Sequence, residues 1–573
     1  MNFLQLKKNN KRDFSTFKAI RVALLGDTPT QLLHTALTGY GFEAALQFVV
    51  YEAEYQQAER EIMDNASGLY SFNPDFVVIF FTTEELYKAF VHLPVSGRAG
   101  FADTQLQLFD TLVNTIESNT NAKIIFFNFW LLPDGVFGNY SNKTPYSFTY
   151  QLRAINFGLM QLAVKHKNLF ILDADSLQNQ HGYNYRLNPA VYVTTGVVTN
   201  PEFLVPVAQN ITQIISSVTG KFNKCLIVDL DNTLWGGVIG DDGLHNIHLG
   251  GLGIGKAFTN LQLWIKQLKE RGIIIAVCSK NDENVAREVF ESHPDMELRM
   301  GDIAVFAVNW DNKADNIRSI RAALNIGFDS MVFLDDNPFE RNLVRKELPE
   351  ITVPELPDGP EEYLSYLQPL NLFETASFTQ DDTHRNEQYK KEAERVKAKQ
   401  FFTNEAEYLA SLYMQVTTGR FNSFNTPRLA QLSQRSNQFN LRTTRYSEKD
   451  IERLACDACY MVFDFSLKDK YGDYGLVSMV VLKKQDGNFF IENWLMSCRV
   501  LKRGLEGYVL NTLAERALAA GALSLIGEYL PTPKNNMVKD FYPNLGFTPL
   551  AANSWQLNLN NFTPVKTFIK ENT

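Results

Sequence analysis

The 573 residues contain only five cysteines: Cys225, Cys278, Cys456, Cys459 and Cys498. Their odd number and uneven spacing exclude a disulfide framework and point to a reducing, cytoplasmic setting. Glycine and proline are sparse at 33 and 21 residues, which excludes a collagenous or low-complexity chain. No stretch approaches the 18 or so uninterrupted apolar residues of a membrane span; even Ile124 to Leu132 is short and holds Asn128. The opening MNFLQLKKNNKRDF turns basic too early for a secretory signal. Positive charge is also short, with 55 Lys and Arg against 64 Asp and Glu and a net charge of −9. That balance argues against a global grip on nucleic acid or anionic membrane.

What is present is ordinary globular material, 45% hydrophobic and 21% charged. At roughly 150 residues per domain, three or four packed units are expected. Residues 1–220 hold the apolar runs IRVALLGD, PDFVVIFF, AKIIFFNFW and NLFILDAD, each separated by enough chain for a helical crossover. This reads as an α/β doubly wound domain. Residues 221–370 form a second α/β unit, whose runs KCLIVDLDNTLW, GIIIAVCSKND and DSMVFLDDNP all end in polar or acidic residues. Residues 371–400 include DDTHRNEQYKKEAERVKAKQ, a charge run read as a solvated linker helix. In residues 401–573 the texture changes to period-2 runs, MVFDFSL, GLVSMVVLKK and NFFIENWLMSC, followed by a helical segment from Arg503 to Gly521. Antiparallel strands with a helix indicate an α+β domain, so the fold class is multidomain α/β.

The chemistry concentrates at strand ends. Asp229 and Asp231 follow a buried strand in DLDNTLW, Ser279 follows a second, Lys313 opens a helix in NKADNIRSIRAAL, and Asp335 and Asp336 follow a third strand. Two carboxylates at i and i+2 beyond a strand can meet in one pocket, one attacking phosphorus and the other serving the leaving oxygen. Only 50 positions separate Asp229 from Ser279, and 22 separate Lys313 from Asp335, which leaves no room for a cap domain. The site should be open, beside a small hairpin flap formed by GGVIGDDGLHNIHLG from Gly236.

These four elements, in order, resemble the haloacid dehalogenase superfamily. By that resemblance Asp229 is the nucleophile, Asp231 the general acid and base, and Ser279, Asn281 and Lys313 the phosphate clamp. Asp229, Asp335, Asp336 and the carbonyl of Asp231 would hold Mg²⁺. Hard oxygen ligands suit that ion, and positive charge offsets repulsion between a carboxylate and a phosphoryl group. The surrounding text, including DLDNTLWGGVIGDDG, CSKNDENVAREVF, FLDDNPFERNLVR, KYGDYGLVSMVVL and MSCRVLKRGLE, is similar to the FkbH-like family of subclass IIIC.

That resemblance implies an N-terminal domain similar to SGNH hydrolases, a flavodoxin-like architecture, then a Rossmannoid phosphatase domain and a C-terminal domain similar to GNAT acyltransferases. It implies transfer of a glyceryl unit from 1,3-bisphosphoglycerate, a small phosphorylated C3 metabolite, to the phosphopantetheine thiol of an acyl carrier protein. A stand-alone phosphatase for a sugar phosphate or phosphoprotein, and a non-catalytic scaffold, are the alternatives. Gly26-Asp27-Thr28 replaces the usual GDS turn, and neither GxND nor a DxxH near Asp173 and Asp175 is present. The first domain is therefore read as catalytically silent, Thr28 as a turn residue and His181 as a loop histidine.

In the GNAT-like turn, Arg499-Val-Leu-Lys502-Arg503-Gly504, Lys502 stands where a glycine normally lets backbone approach pyrophosphate. Lys502 and Arg503 are expected to meet the phosphate of phosphopantetheine by charge. Cys498 is the candidate for a transient acyl thioester. The amides of Asn437, Gln438 and Asn440 either bond the pantetheine chain or stitch a buried loop. Cys456 and Cys459 have zinc-knuckle spacing without a second pair.

Overall fold

A computed structural model describes residues 1–399, 402, 404–532 and 534–572. Gln400, which ends the charge run, and Phe401, at the expected domain boundary, lie outside the described residues. The chain divides into two compact units, Met1–Ser216 and Ser217–Thr573. Among the described residues no helix is long and apolar enough to cross a membrane.

The first unit is built on five parallel strands: β1 (Lys18–Gly26), β2 (Leu46–Glu52), β3 (Phe76–Phe80), β4 (Lys123–Phe127) and β5 (Leu169–Leu172). Their order is β2-β1-β3-β4-β5, so the direction of winding reverses between β1 and β3. β3 is buried throughout, as its unbroken FVVIF demands. The sequence reading missed β2, an edge strand with four half-buried or exposed residues at its end, whose apolar run FVVY is only four residues long. His181 closes the helix Ala174–His181 and stacks on Tyr185, rather than sitting in a loop.

The second unit holds two sheets. One is parallel, in the order β8-β7-β6-β9, from β6 (Cys225–Val228), β7 (Ile274–Ser279), β8 (Val305–Val308) and β9 (Met331–Leu334). The central strand β6 is wholly buried and pairs Val228 with both Val277 and Leu334, so three strand ends finish level. The edge strand β8, half-buried, escaped the sequence reading.

The other sheet is mixed and mainly antiparallel. It runs β15-β16-β14-β13-β12-β11-β10-β17, from β10 (Gln415–Gly419), β11 (Tyr460–Asp469), β12 (Gly472–Gln485), β13 (Asn488–Met496), β14 (Ser524–Glu528), β15 (Thr548–Ala551), β16 (Ser554–Asn558) and β17 (Lys570–Glu571). β13 and β14 pair in parallel only over Phe489–Ile491 and Leu525–Gly527, then part. The gap is closed by the chain itself: Leu441 N donates to Trp494 O, Met496 N to Phe439 O and Leu530 N to Leu441 O. Parted strands would otherwise leave unpaired backbone groups inside a core that buries Trp494 completely.

The charge run is not a solvated linker. Its helix, Arg385–Lys399, lies against both sheets. Asn386, fully buried, accepts from Ile275 N beside the parallel sheet and donates to Asp302 O. On the same face Tyr389 and Glu392 are buried, and Glu392 pairs with Arg503 of the mixed-sheet unit. A helix whose charges repeat every three or four residues can hide some of them when each meets a partner, a possibility that composition alone does not reveal.

Candidate active site

The three strand ends bring Asp229, Ser279 and Asp335 into one crevice at the carboxyl edge of the parallel sheet, where ligands of such sheets bind. Lys313 enters from the first turn of the helix Lys313–Leu324, capped by the Asn312 side chain. Its ammonium, almost completely buried, lies 3.0 Å from Asp229 Oδ2 and 2.6 Å from Asp335 Oδ2. Burial opposes the charge on Lys313, but the two carboxylates outweigh it and hold the ammonium above its ordinary range. Burial, reinforced by the charge of Asp229, pushes Asp335 up to about 7 and Asp336 upward as well.

Asp231 faces a different set of donors. Its Oδ1 accepts from Trp235 Nε1 at 2.8 Å and Ile239 N at 3.1 Å, and its Oδ2 accepts from Asn281 Nδ2 at 2.8 Å. The carboxylate is thus fixed in orientation. Asn281, expected at the phosphate, donates to Asp231 in this structure. The loop that makes this arrangement turns at Gly237, with φ +93°, where an added Cβ would sit 2.6 Å from Asp242 Oδ2. The expected flap is a loop rather than a tight hairpin: a single bridge joins Gly236 to His248, and the short helix Ile239–Asp242 lies between them.

The acidic loop after β9 is held from two sides. Thr233 Oγ1 accepts from Asp336 N at 3.1 Å and lies 3.3 Å from Asp336 Oδ1. Arg341, buried, donates to the carbonyls of Asp335 and Asp336 at 2.9 and 2.6 Å and pairs with Glu355. Sequence reading assigned neither Thr233 nor Arg341 to the site. Arg341 stands in the quoted FLDDNPFERNLVR, one helical turn beyond the acidic pair, which was the available signal.

Asp229, Asp335 and Asp336 each offer an oxygen within 4.8 Å of the others, and Asp229 Oδ1 is buried with no hydrogen-bond partner. Three hard carboxylate oxygens, one of them orphaned, fit a divalent cation of the Mg²⁺ kind. The side chain of Asp231 lies outside this trio.

The residues expected to handle an acyl group lie elsewhere. Cys498, half-buried, lines a cavity of about 390 Å³ with Lys224, Arg321, Arg435, Gln438 and Lys534. It also lines a smaller one of about 50 Å³ with Arg385, Arg428 and Arg499. The Tyr389 hydroxyl is 3.5 Å from Cys498 Sγ. Burial lowers the Lys224 ammonium to about 8. Lys224 precedes β6 and Asp229 follows it, so the thiol cavity and the phosphoryl crevice lie at opposite ends of that strand. Five residues at about 3.3 Å each separate the two ends by roughly 16 Å.

Two expectations around Cys498, the ligand-facing roles of Arg503 and Arg499, are corrected. Arg503 does not face a ligand: it is fully buried, pairs with Asp469 at 2.9 Å and with Glu392, and cannot leave without stranding two carboxylates. Arg499 is likewise buried and bonds Gln388; Lys502 alone of the turn is exposed, at φ +61° ahead of Gly504 at φ +79°. Asn440 stitches a loop, accepting from Thr443 N, and Asn437 donates to Gly220 O and accepts from Arg445. Gln438 Oε1 is buried without a partner. Cys456 and Cys459 are exposed and free.

The FkbH N-terminal domain family matches residues 21–216. The N-terminal part of the protein BF1531 from Bacteroides fragilis, which contains a phosphatase domain and was crystallised with Mg, is 48% identical to this chain. That match covers 66% of this chain and all of the other, with a TM-score of 0.64. The ribosomal-protein-S18-alanine N-acetyltransferase from Escherichia coli is 16% identical over 25% of this chain and 94% of its own. The GNAT domain of S. lividans PAT is 14% identical over 25% and 89%; both TM-scores are 0.20. No curated protein matches the chain. The identity to BF1531 extends over that whole fragment, and an independent family match lies on the first unit: the chain belongs to the FkbH-like family.

Proposed function

We propose that this protein is a Mg²⁺-dependent phosphatase that also loads an acyl carrier protein, dephosphorylating a phosphoglyceryl-type C3 unit. The observation that carries the phosphatase reading is the crevice in which Lys313 bridges Asp229 and Asp335 beside the orphaned Asp229 Oδ1. Asp229 attacks phosphorus, the bond to the leaving oxygen breaks, and Asp231 gives that oxygen its proton. Asp231 then takes a proton from water as the water attacks the aspartyl phosphate and releases inorganic phosphate. Ser279 and Lys313 hold the phosphoryl oxygens. Mg²⁺ held by Asp229, Asp335 and Asp336 supplies the positive charge that lets two anions approach. The Mg²⁺ of the BF1531 fragment supports this assignment.

The loading step is assigned to Cys498. Its thiolate attacks the acyl carbon of an acyl phosphate such as 1,3-bisphosphoglycerate; the carbon–oxygen bond breaks and phosphate leaves. The pantetheine thiol of the carrier then displaces Cys498 from the thioester. Lys224, Arg321 and Arg435 in the cavity favour the anionic donor and the phosphate of the arm. A cytoplasmic setting keeps that thiol reduced. The remaining phosphomonoester is removed at Asp229, at the other end of β6, within reach of a flexible arm.

Incubating the protein with Mg²⁺, 1,3-bisphosphoglycerate and candidate carriers, then weighing the carriers intact, tests the loading step. A carrier heavier by one glyceryl group is expected with wild type and absent with Cys498→Ser. Phosphate release without any carrier gaining mass would sink it. The plain phosphatase is the second reading, favoured by residues 439–441 closing the gap between β13 and β14, where an extended arm would otherwise pair. Under that reading Cys498→Ser changes nothing.

A further inference from the structure

The first unit carries a cavity that the phosphatase reading does not use. It is about 580 Å³, within the range of small-molecule sites, and opens at the carboxyl ends of β1 and β3. These are the two strands between which the winding of the sheet reverses, the place where open parallel sheets leave a crevice. Gly26 and Asp27, at the end of β1, line it, and so does Phe81, which follows β3. An added Cβ at Gly26 would meet Thr30 Cγ2 at 2.7 Å, so the backbone there is packed too tightly to carry a side chain.

The lining residues are of two kinds. One is apolar, from Phe81, Leu86, Leu108 and Phe109, with the two rings 6.2 Å apart. The other presents Asp27, Glu59 and Glu85 with the amides of Gln56 and Gln105, and Arg60 is its one cation. Lys88 pairs with Glu85 outside the lining. Asp27 is anchored, since both of its oxygens accept from Thr82 N at 3.0 and 3.1 Å. Burial pushes Asp27 up to about 7, a shift to which the charges of Glu84 and Glu85 add.

We infer that this cavity binds a small, phosphate-free molecule, neutral or cationic, that presents several hydroxyl or ammonium donors on one face and C–H groups on the other: a sugar or amino sugar. Carboxylates and amide oxygens accept from hydroxyl and ammonium groups, and the apolar part of the lining, to which Leu86 and the half-buried Leu108 belong, suits the C–H groups of a ring. Glu59, Glu85 and the ionised fraction of Asp27 disfavour phosphate, which sets this cavity apart from the cation-lined one beside Cys498. Thr28, which stands where a nucleophile would, is buried, and the inference is of a binding site.

The test is calorimetry on the full chain in Mg²⁺-free buffer with glucosamine, glucose and glucose 6-phosphate. Glucosamine and glucose are expected to bind one to one. Ala89→Trp, at the exposed rim, is expected to weaken both at least tenfold. Asp27→Asn, which keeps shape and removes charge, is expected to weaken glucosamine more than glucose. Heat from glucose 6-phosphate should persist in Ala89→Trp, because it arises elsewhere. The proposal is overturned if neither sugar binds, if both variants bind them as wild type does, or if Ala89→Trp removes binding of glucose 6-phosphate. A circular-dichroism melt like that of wild type establishes that each variant is folded.

Discussion

At the scale of single residues the proposed chemistry depends on how few freedoms the acidic groups retain. Asp229→Asn removes the attacking oxygen, and phosphate release followed by a colorimetric phosphate assay should fall by about a thousandfold or more. Asn281→Ala frees one oxygen of Asp231, and Trp235→Phe removes a donor to the other. Either change should lower kcat by roughly 10- to 100-fold in steady-state assays with KM little altered, since each acts by orienting the acid. Arg341→Ala loosens the Asp335–Asp336 loop, and the Mg²⁺ concentration for half-maximal activity should rise by about tenfold or more. Asp229, Asp231, Ser279, Lys313 and Asp335 were legible because each stands at a strand end or helix start that apolar runs delimit. The bond from Asn281 to Asp231 and the roles of Trp235 and Arg341 were missed. Their partners come from loops, and loop geometry leaves no periodic trace in sequence.

At the scale of elements the helix Arg385–Lys399 is the informative case. Its charge run reads as solvated, yet Asn386, Tyr389 and Glu392 are buried between two sheets. Removing one partner of a buried pair strands the other, so Glu392→Ala should destabilise the second unit by about 3–5 kcal/mol in chemical denaturation. Replacing Arg503, Glu392 and Asp469 together by apolar residues of similar volume should cost less than Glu392→Ala alone. The buried strands β1, β3, β6, β7 and β9 were all legible from their apolar runs. The edge strands β2 and β8 were not, although FVVY in β2 and VFAV in β8 are apolar; runs of only four residues do not by themselves distinguish a strand from a helix segment. The closure of the β13–β14 gap by Phe439–Leu441 was also hidden, since it joins segments more than fifty residues apart.

At the scale of the whole molecule two candidate sites of different character lie at opposite ends of β6. One is acidic and suited to a metal ion; the other is a half-buried thiol among cations. Sequence reading singled out the acidic residues and Cys498, but neither the cations Lys224, Arg321, Arg435 and Lys534 beside the thiol nor the separation of the two places, because a strand between Lys224 and Asp229 puts these near neighbours in the chain far apart. The proposed account needs the acyl group to visit both ends. Intact mass spectrometry of quenched reactions containing 1,3-bisphosphoglycerate, Mg²⁺, a carrier protein and either wild type or Asp229→Asn tests that directly. The account predicts a carrier bearing a glyceryl group with wild type and one bearing a phosphoglyceryl group with Asp229→Asn. A phosphate-free acyl group on the carrier with both proteins, or no acyl group with either, would contradict it.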